Sequence, residues 1–122
     1  MKKAAYSLSI IFLFLVVISG FKTKSNNMLK TSLQITVIDG MGSYVEGAEV
    51  TIYSNEEDFR NSESPIQDTQ LTDEKGRVLF KDLKPQAYFV DAVKGDMSNY
   101  GAAQLTPELM EGRRNKVNIV IE

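Results

Sequence analysis

The chain has 122 residues, a formal net charge of −2, and neither cysteine nor histidine. This length suits a single domain. Without these two residue types there can be no disulfide framework, thiolate nucleophile, Cys/His zinc site or imidazole base. The mildly acidic balance carries no basic stripe for a phosphate backbone, so we expect no nucleic-acid partner. We also expect no cofactor.

The N-terminal segment has the layout of an export signal. Met1-Lys2-Lys3 is positively charged, an apolar run follows from Ala4, and small Ser19 and Gly20 end it. This pattern predicts a cleaved signal peptide over residues 1–20, and hence a periplasmic, cell-surface or extracellular protein. The alternative is an uncleaved membrane anchor, although the run is short for a span of roughly 20 apolar residues. Residues 21–31 are polar and non-periodic, and we interpret them as a flexible leader.

The pattern after residue 31 has a period of two, which is typical of half-buried strands. Inward positions are predicted at these residues: Leu33, Ile35, Val37, Ala48, Val50, Ile52, Val78, Phe80, Tyr88, Val90, Ala92, Val117, Ile119 and Ile121. Leu83 is expected to close the core beside Phe80. Turns are predicted at 39–43, 73–76, 84–86 and 94–96, where Gly, Asp and Pro gather. The turn at 73–76 is expected to form a tight hairpin.

Three segments carry weaker or mixed signals. Residues 54–57 can cap one helical turn, with Ser54 or Asn55 as the N-cap. Residues 66–72 and 100–105 are predicted as an edge strand and a weak strand. Residues 106–112 carry short-helix signals, namely a Thr cap, Pro107 at the first position and Gly112 just past the end. Together these segments predict an all-β fold, a seven-stranded antiparallel Greek-key β-sandwich after an N-terminal signal helix.

The residues resemble those of a known family. Asp39-Gly40 and the run from Val45 to Val50 are similar to the opening of carboxypeptidase regulatory-like domains. The pattern continues through Thr72-Asp73, Gly76, Val78, Phe80, Leu83, Pro85, Tyr88, Val90, Ala92 and Lys94-Gly95. The resemblance covers residues 33–122 and extends to the transthyretin-like and Cna protein B-type groups. It implies a prealbumin-like sandwich acting as an accessory module, of a kind typical of small exported Bacteroidetes proteins, but it does not fix a function.

Two chemistries of these groups are disfavoured by the sequence. A Lys–Asn isopeptide bond, as in Cna B-type domains, needs a lysine on the first strand, where Val37 stands. Asn118 and Asp91 are available for the other two roles, but without the amine the bond cannot form. A transthyretin-like hydrolase depends on histidine, which the chain lacks. We therefore expect no catalytic residues.

Two candidate sites are considered at one end of the sandwich, where we expect the loops 39–46, 73–76 and 94–99 to meet. The first is a calcium site formed by loop acids (Asp39, Glu46, Asp73, Glu74 and Asp96), set against the ordinary use of Asp in turns. We predict no metal. The second is a ligand-binding end formed by Tyr44, Tyr100 and Met97, with Met41 nearby, since loop aromatics are favoured contact residues. The competing interpretation is that the two tyrosines only cover the end of the core.

Apolar residues also fall on the outward side of the alternation, at Tyr53, Leu79, Phe89 and Val93. They could form a patch for a partner, or segment 54–65 could cover them, which we prefer. The leading functional hypothesis is an exported non-enzymatic module that binds an unidentified protein or glycan at the envelope or surface. The alternative is a structural or assembly subunit that associates through edge strands or the outer apolar face. Contact with a membrane is expected only through an uncleaved signal.

Overall fold

A computed structural model describes residues 30–122 of the chain. The predicted signal peptide and residues 21–29 of the predicted leader lie outside this range. The described part consists mostly of strands, with one short helix. The elements are β1 Ser32–Asp39, β2 Glu49–Tyr53, α1 Glu56–Asn61, β3 Gln70–Leu71, β4 Arg77–Phe80, β5 Phe89–Lys94, β6 Met97–Ser98 and β7 Arg114–Ile121.

One hydrophobic core holds the two sheets together. Alternate residues of β1 turn inward, and Leu33, Ile35 and Val37 are fully buried, as the period-two pattern predicts. The same cluster takes the inward side chains of both sheets: Ala48, Val50, Ile52, Val78, Phe80, Leu83, Tyr88, Val90, Ala92, Ile119 and Ile121. The predicted inward set is thereby confirmed, except that Val117 is only partly buried. Both sheets and this cluster lie within residues 30–122, so this part of the chain forms its core from its own residues.

The strands divide into a three-stranded sheet of order β4-β1-β7 and a four-stranded sheet of order β3-β2-β5-β6. The prediction that all pairs are antiparallel is wrong for β1 and β7, which run parallel over eight residue pairs. A period of two shows on which face of the sheet each side chain lies, but it does not show whether neighbouring strands run parallel or antiparallel. The long connection after β6 brings the chain back so that β7 enters beside β1 in the same direction.

The predicted hairpin at 73–76 is also wrong in one respect. The turn forms as expected, with Gly76 at a positive φ of 71° and the amide of Gly76 donating to the carbonyl of Asp73. However, β3 pairs with β2 while β4 pairs with β1. The turn therefore carries the chain from one sheet to the other. A turn sequence sets local geometry and leaves open which strands the two arms pair with.

Helix α1 covers the outer face of the four-stranded sheet. Asn55 is its N-cap, and its side chain accepts a hydrogen bond from the amide of Asp58. Phe59 is buried and packs against Tyr53 and Phe89, with ring centroids 6.0 and 5.5 Å apart. The expectation that segment 54–65 covers the apolar outer face is confirmed at these two residues. Leu79 lies on the other sheet and belongs to a different face.

The segment between β6 and β7 departs most from the prediction. Residues 100–105 follow the edge of β5 but pair as a strand only at the Phe89–Leu105 bridge, and the regular strand is β6 at 97–98. The helix predicted at 106–112 does not form. The Thr106 hydroxyl accepts a hydrogen bond from the Tyr88 amide, and the Leu109 amide donates to the Gln86 carbonyl. These long-range bonds use the groups that would otherwise cap and continue a helix.

Among residues 30–122, no helix has the length and apolar character needed to cross a membrane.

Candidate functional site

The loop between β1 and β2, residues 39–47, is the candidate functional site. Its first half is organised by the side chain of Asp39, whose Oδ1 accepts hydrogen bonds from the amides of Met41 and Ser43 at 2.9 and 3.0 Å. The Asp39 amide in turn donates to the Ser43 carbonyl at 3.0 Å. This is the self-bonding use of Asp that the sequence predicts for the turn. The tip of the loop is therefore fixed by its own chain.

The second half of the 39–47 loop is tied to the neighbouring sheet by Thr72. The Thr72 hydroxyl donates to the Val45 carbonyl at 2.6 Å and accepts from the Ala48 amide at 2.8 Å. The Gly47 amide donates to the Thr72 carbonyl at 3.0 Å. Lys94 adds a bond from Nζ to the Glu46 carbonyl. Thr72 is itself buried, so this bridge is shielded from water.

Gly76 allows the turn after β3 to press against the base of this loop. A Cβ at position 76 would stand 2.5 Å from the carbonyl oxygen of Val37 and 3.5 Å from Cβ of Tyr44. The carbonyl of Gly76 accepts a hydrogen bond from the Val37 amide at 2.7 Å. A glycine is needed here both for the positive φ and for the close approach of the two backbones.

The fixed loop presents two large side chains to solvent. Met41 is 89% exposed and Tyr44 is 63% exposed, although Val45 beside them is buried. Their backbone is held on both sides by the bonds of Asp39 and Thr72, so little backbone order remains to be gained when a partner binds. Sequence reasoning identified Tyr44 and Met41 as site residues but missed the role of Thr72, which it placed only in the family-like pattern and at the end of a predicted strand.

The other two predicted site residues have different surroundings. Tyr100 is 61% exposed and lies against Phe59, with ring centroids 6.3 Å apart. It therefore flanks the α1-covered face rather than the Gly76 region that Tyr44 contacts. Met97 pairs with Lys94 in the β5–β6 hairpin and packs partly buried against the core. None of the described contacts joins Tyr44, Tyr100 and Met97 into one cluster.

The loop acids serve the turns that contain them. Oδ1 of Asp73 accepts from the amides of Lys75 and Arg77 at 2.9 and 3.0 Å, just as Asp39 does in its own loop. The hydrogen bond from the Arg77 amide is the main cause that lowers the pKa of Asp73 below its ordinary value. Within residues 30–122 there is no group of three or more acidic side chains placed to hold a metal ion.

The two residues considered for isopeptide chemistry lie on outward faces of different sheets. Asp91 alternates with the inward Val90 and Ala92 on β5. Asn118 is exposed on β7, next to the buried Ile119. The core position on β1 is occupied by Val37. The sandwich therefore separates these residues, and it offers no amine between them.

Asp91 is nonetheless an unusual group. Its Oδ1 is buried and has no hydrogen-bond partner among the described residues. Burial raises the pKa of the Asp91 carboxyl above its ordinary value, and the nearby charge of Glu49 raises it further. Burial also raises the pKa of the Tyr53 hydroxyl, with a smaller contribution from Asp91. The sequence alternation puts Asp91 opposite the inward Val90 and Ala92, and it gives no sign that this outward carboxyl is partly buried.

No protein-family model matches the chain, and no curated protein matches its sequence. Solved structures do match its fold. A streptococcal ancillary pilin is similar over 79% of this chain, with 16% identity and a TM-score of 0.57. The TIE protein of Bacillus anthracis is similar over 76%, with 22% identity and a TM-score of 0.52. The matched regions make up 33% and 17% of those chains, so this chain spans a third or less of either protein. The likeness shows a shared β-sandwich fold.

Proposed function

We propose that this chain is an exported, non-enzymatic β-sandwich module that binds another protein at the cell envelope or surface through Met41 and Tyr44. The carrying observation is that these two exposed side chains project from a loop whose backbone is already fixed by Asp39 and Thr72. A contact made by a fixed loop avoids much of the ordering entropy that a mobile loop would lose on binding. Tyrosine adds a large contact area at the cost of only two side-chain torsions.

The choice of a protein partner follows from the side chains. Met41 is unbranched and polarizable, and such a side chain adapts its shape to an apolar partner surface. Tyr44 has an apolar ring with a polar hydroxyl, which suits a protein interface that buries the ring and bonds the hydroxyl. A glycan is the alternative partner, because the Tyr44 ring also offers a flat face on which a sugar ring could stack.

Export and family membership belong to the same proposal. The signal-like residues 1–20 support export, and the fold shared with an ancillary pilin supports a role at a cell surface. The proposal includes the carboxypeptidase regulatory-like relationship, the prealbumin-like Greek-key arrangement and a Bacteroidetes-type origin, all supported by the sequence pattern. Fold likeness alone does not carry function from one protein to another, so each of these points needs its own test.

The test compares two tyrosines of nearly equal exposure. Residues 21–122 are immobilised and probed with envelope extract and with a glycan panel. We expect a protein to be retained in a saturable manner, and Met41→Ala combined with Tyr44→Ala to reduce its affinity about tenfold or more, as for a central anchor. Tyr100→Ala is the matched control and should bind normally. Affinity that is unchanged in the Met41/Tyr44 variant would contradict the proposal, and retention on the glycan panel alone would favour the glycan alternative.

A further inference from the structure

Strand β7 is a long outer strand with one unpaired side. It has eight residues and stands at the end of its sheet, paired along its inner side with β1. In the described part of the chain, its outer side gains backbone partners only just beyond the strand, where Ser98 and Glu122 exchange two hydrogen bonds of 3.1 Å. A row of unpaired peptide groups of this length is a template for a further strand.

A shallow groove of about 360 Å³ runs beside the first half of β7. One wall is the extended segment 107–110, which the Met110 amide fastens to Asn115 Oδ1 at 2.8 Å. Leu109 and Val117 contribute apolar surface, and Met110 is exposed at the rim. An added strand could therefore place an apolar side chain next to the unpaired edge.

The charge around this groove is positive. Arg113, Arg114 and Lys116 are exposed, and no ion pair in the described part of the chain involves them. Residues 1–29 contain no Asp or Glu that could neutralise them. Glu108 also lines the groove, so its lining has three cations and one acid. Arg114 also borders a second depression, which Asp73 and Arg77 line, so Arg113 and Lys116 are the cations that face this groove alone. We name this surface, formed by the outer side of β7 and segment 107–110, the basic edge.

The opposite end of the other sheet has the complementary character. Residues 66–74, here named the acidic edge, follow the outer side of β2 and include Asp68, Asp73 and Glu74. Asp73 is already paired with Arg77 at 4.0 Å, which leaves Asp68 and Glu74 as its acids without an ion pair among the described residues. They are bonded to β2 on their inner side, as in the 3.0 Å bond from the Thr72 amide to the Ala48 carbonyl. Leu71 is 65% exposed on this edge, and Ile66 is 39% exposed.

Side chains of the acidic edge bond across the sandwich and hold the segment in place. Gln67 Nε2 donates to the Lys81 carbonyl, and Gln70 Nε2 donates to the Leu79 carbonyl at 2.9 Å. Thr51 and Thr69 join their hydroxyl groups at 2.6 Å. Only Gln70–Leu71 is regular strand, residues 66–67 form a bend and residue 74 belongs to the following turn. These bonds therefore fix the middle of the segment for strand addition, and its ends adjust on binding.

We propose that the basic edge of one copy takes the acidic edge of a second copy as an added strand. Basic residues then face acidic residues, and Leu71 or Ile66 enters the groove beside Leu109. The two edges are different surfaces, so the contact is head-to-tail and leaves one edge of each kind open at the ends of a chain of subunits. This self-association does not use the side chains of Met41 and Tyr44 and does not depend on the proposed partner binding, although Thr72 of the acidic edge also bonds the loop that carries them.

The test follows the mass of residues 21–122 by sedimentation velocity at rising concentration. We expect the mass to increase without stopping at a dimer, and to fall when salt is raised, because salt screens exposed charges. Lys116→Glu or Asp68→Lys should each weaken association about fivefold. The combined variant should recover it, because the opposite charges again face each other. Lys84→Glu, a reversal on the 84–86 turn, is the control, and Met41→Ala with Tyr44→Ala should leave association unchanged.

A second measurement does not depend on whether the variants fold well. A synthetic peptide of residues 65–74 is added to the wild-type protein, and amide shifts are followed by NMR. We expect changes concentrated at Arg114–Ile121 and Leu109, and none with a scrambled peptide. A protein that stays monomeric and gives no shifts with the peptide overturns the proposal. A closed symmetric dimer, or association that neither charge reversal alters, overturns it as well.

Discussion

The side chain of Asn99 pairs with the backbone of Val90 as a strand residue would. Its Nδ2 donates to the Val90 carbonyl at 2.7 Å, and its Oδ1 accepts from the Ala92 amide at 3.0 Å. Asn99 is fully buried, and its own amide donates to the Ala92 carbonyl. One side chain thus satisfies two peptide groups of β5 at the point where regular pairing with β6 ends.

Replacing Asn99 with alanine should therefore be costly. Asn99→Ala leaves a buried donor and a buried acceptor without partners, and we expect a loss of about 2–3 kcal/mol in the free energy of unfolding. Urea unfolding of residues 21–122 measures it. Asn118→Ala, at an exposed position of β7, should change stability by less than about 0.5 kcal/mol. Equal effects of the two substitutions would contradict the buried role of Asn99.

Substitutions at two glycines allow the cost of backbone strain to be measured apart from the cost of steric contact. Gly76 and Gly42 have similar positive φ values, 71° and 83°, but a Cβ at Gly76 meets the Val37 carbonyl at 2.5 Å, whereas a Cβ at Gly42 has nothing within 4 Å. Gly42→Ala should cost about 1 kcal/mol from strain alone. Gly76→Ala should cost at least twice as much, because the two backbones must also move apart. Thermal or urea unfolding of both variants decides this, and a smaller loss for Gly76→Ala would show that the turn does not press against β1.

The buried carboxyl of Asp91 gives a pH dependence of definite sign. Because its pKa is raised in the folded state, the native protein holds this proton more tightly than the unfolded chain does. The stabilisation that this tighter proton binding gives is fully present below the ordinary pKa of aspartate. It is lost as pH rises through the raised pKa of Asp91 in the folded protein. Asp91→Asn should remove that loss, so its stability relative to wild type should increase from acidic to neutral pH.

Urea unfolding of wild type and Asp91→Asn at several pH values between about 3 and 7 measures this difference. Glu57→Gln, at an exposed position of α1, is the control and should run parallel to wild type. A difference between Asp91→Asn and wild type that stays constant with pH, or decreases toward neutral pH, would show that Asp91 is not held in a desolvated place.

The positions of the strands could be predicted from sequence because burial alternates along them. Leu33, Ile35 and Val37 show this period without interruption, and each is buried as predicted. The direction of β7 could not be predicted in this way, since a parallel and an antiparallel neighbour bury the same alternate residues.

Local signals failed where distant groups competed for the same atoms. Residues 106–112 have a cap, a proline and a glycine in the order that starts and ends a helix. In the fold, the Thr106 hydroxyl binds the amide of Tyr88 instead, eighteen residues away in sequence.

The candidate site could also be predicted only in part. The exposed loop position of Tyr44 could be predicted from sequence, whereas the contact of Tyr100 with Phe59 could not, because it depends on how α1 folds back over the sheet.

The central claim is that the 39–47 loop is fixed before any partner arrives. Amide hydrogen exchange of the free protein, resolved by residue, tests it most directly. We expect the amides of Met41, Ser43, Val45 and Gly47 to exchange at least about tenfold more slowly than the same residues in an unfolded chain. Exchange at unfolded-chain rates across these four amides would contradict the claim.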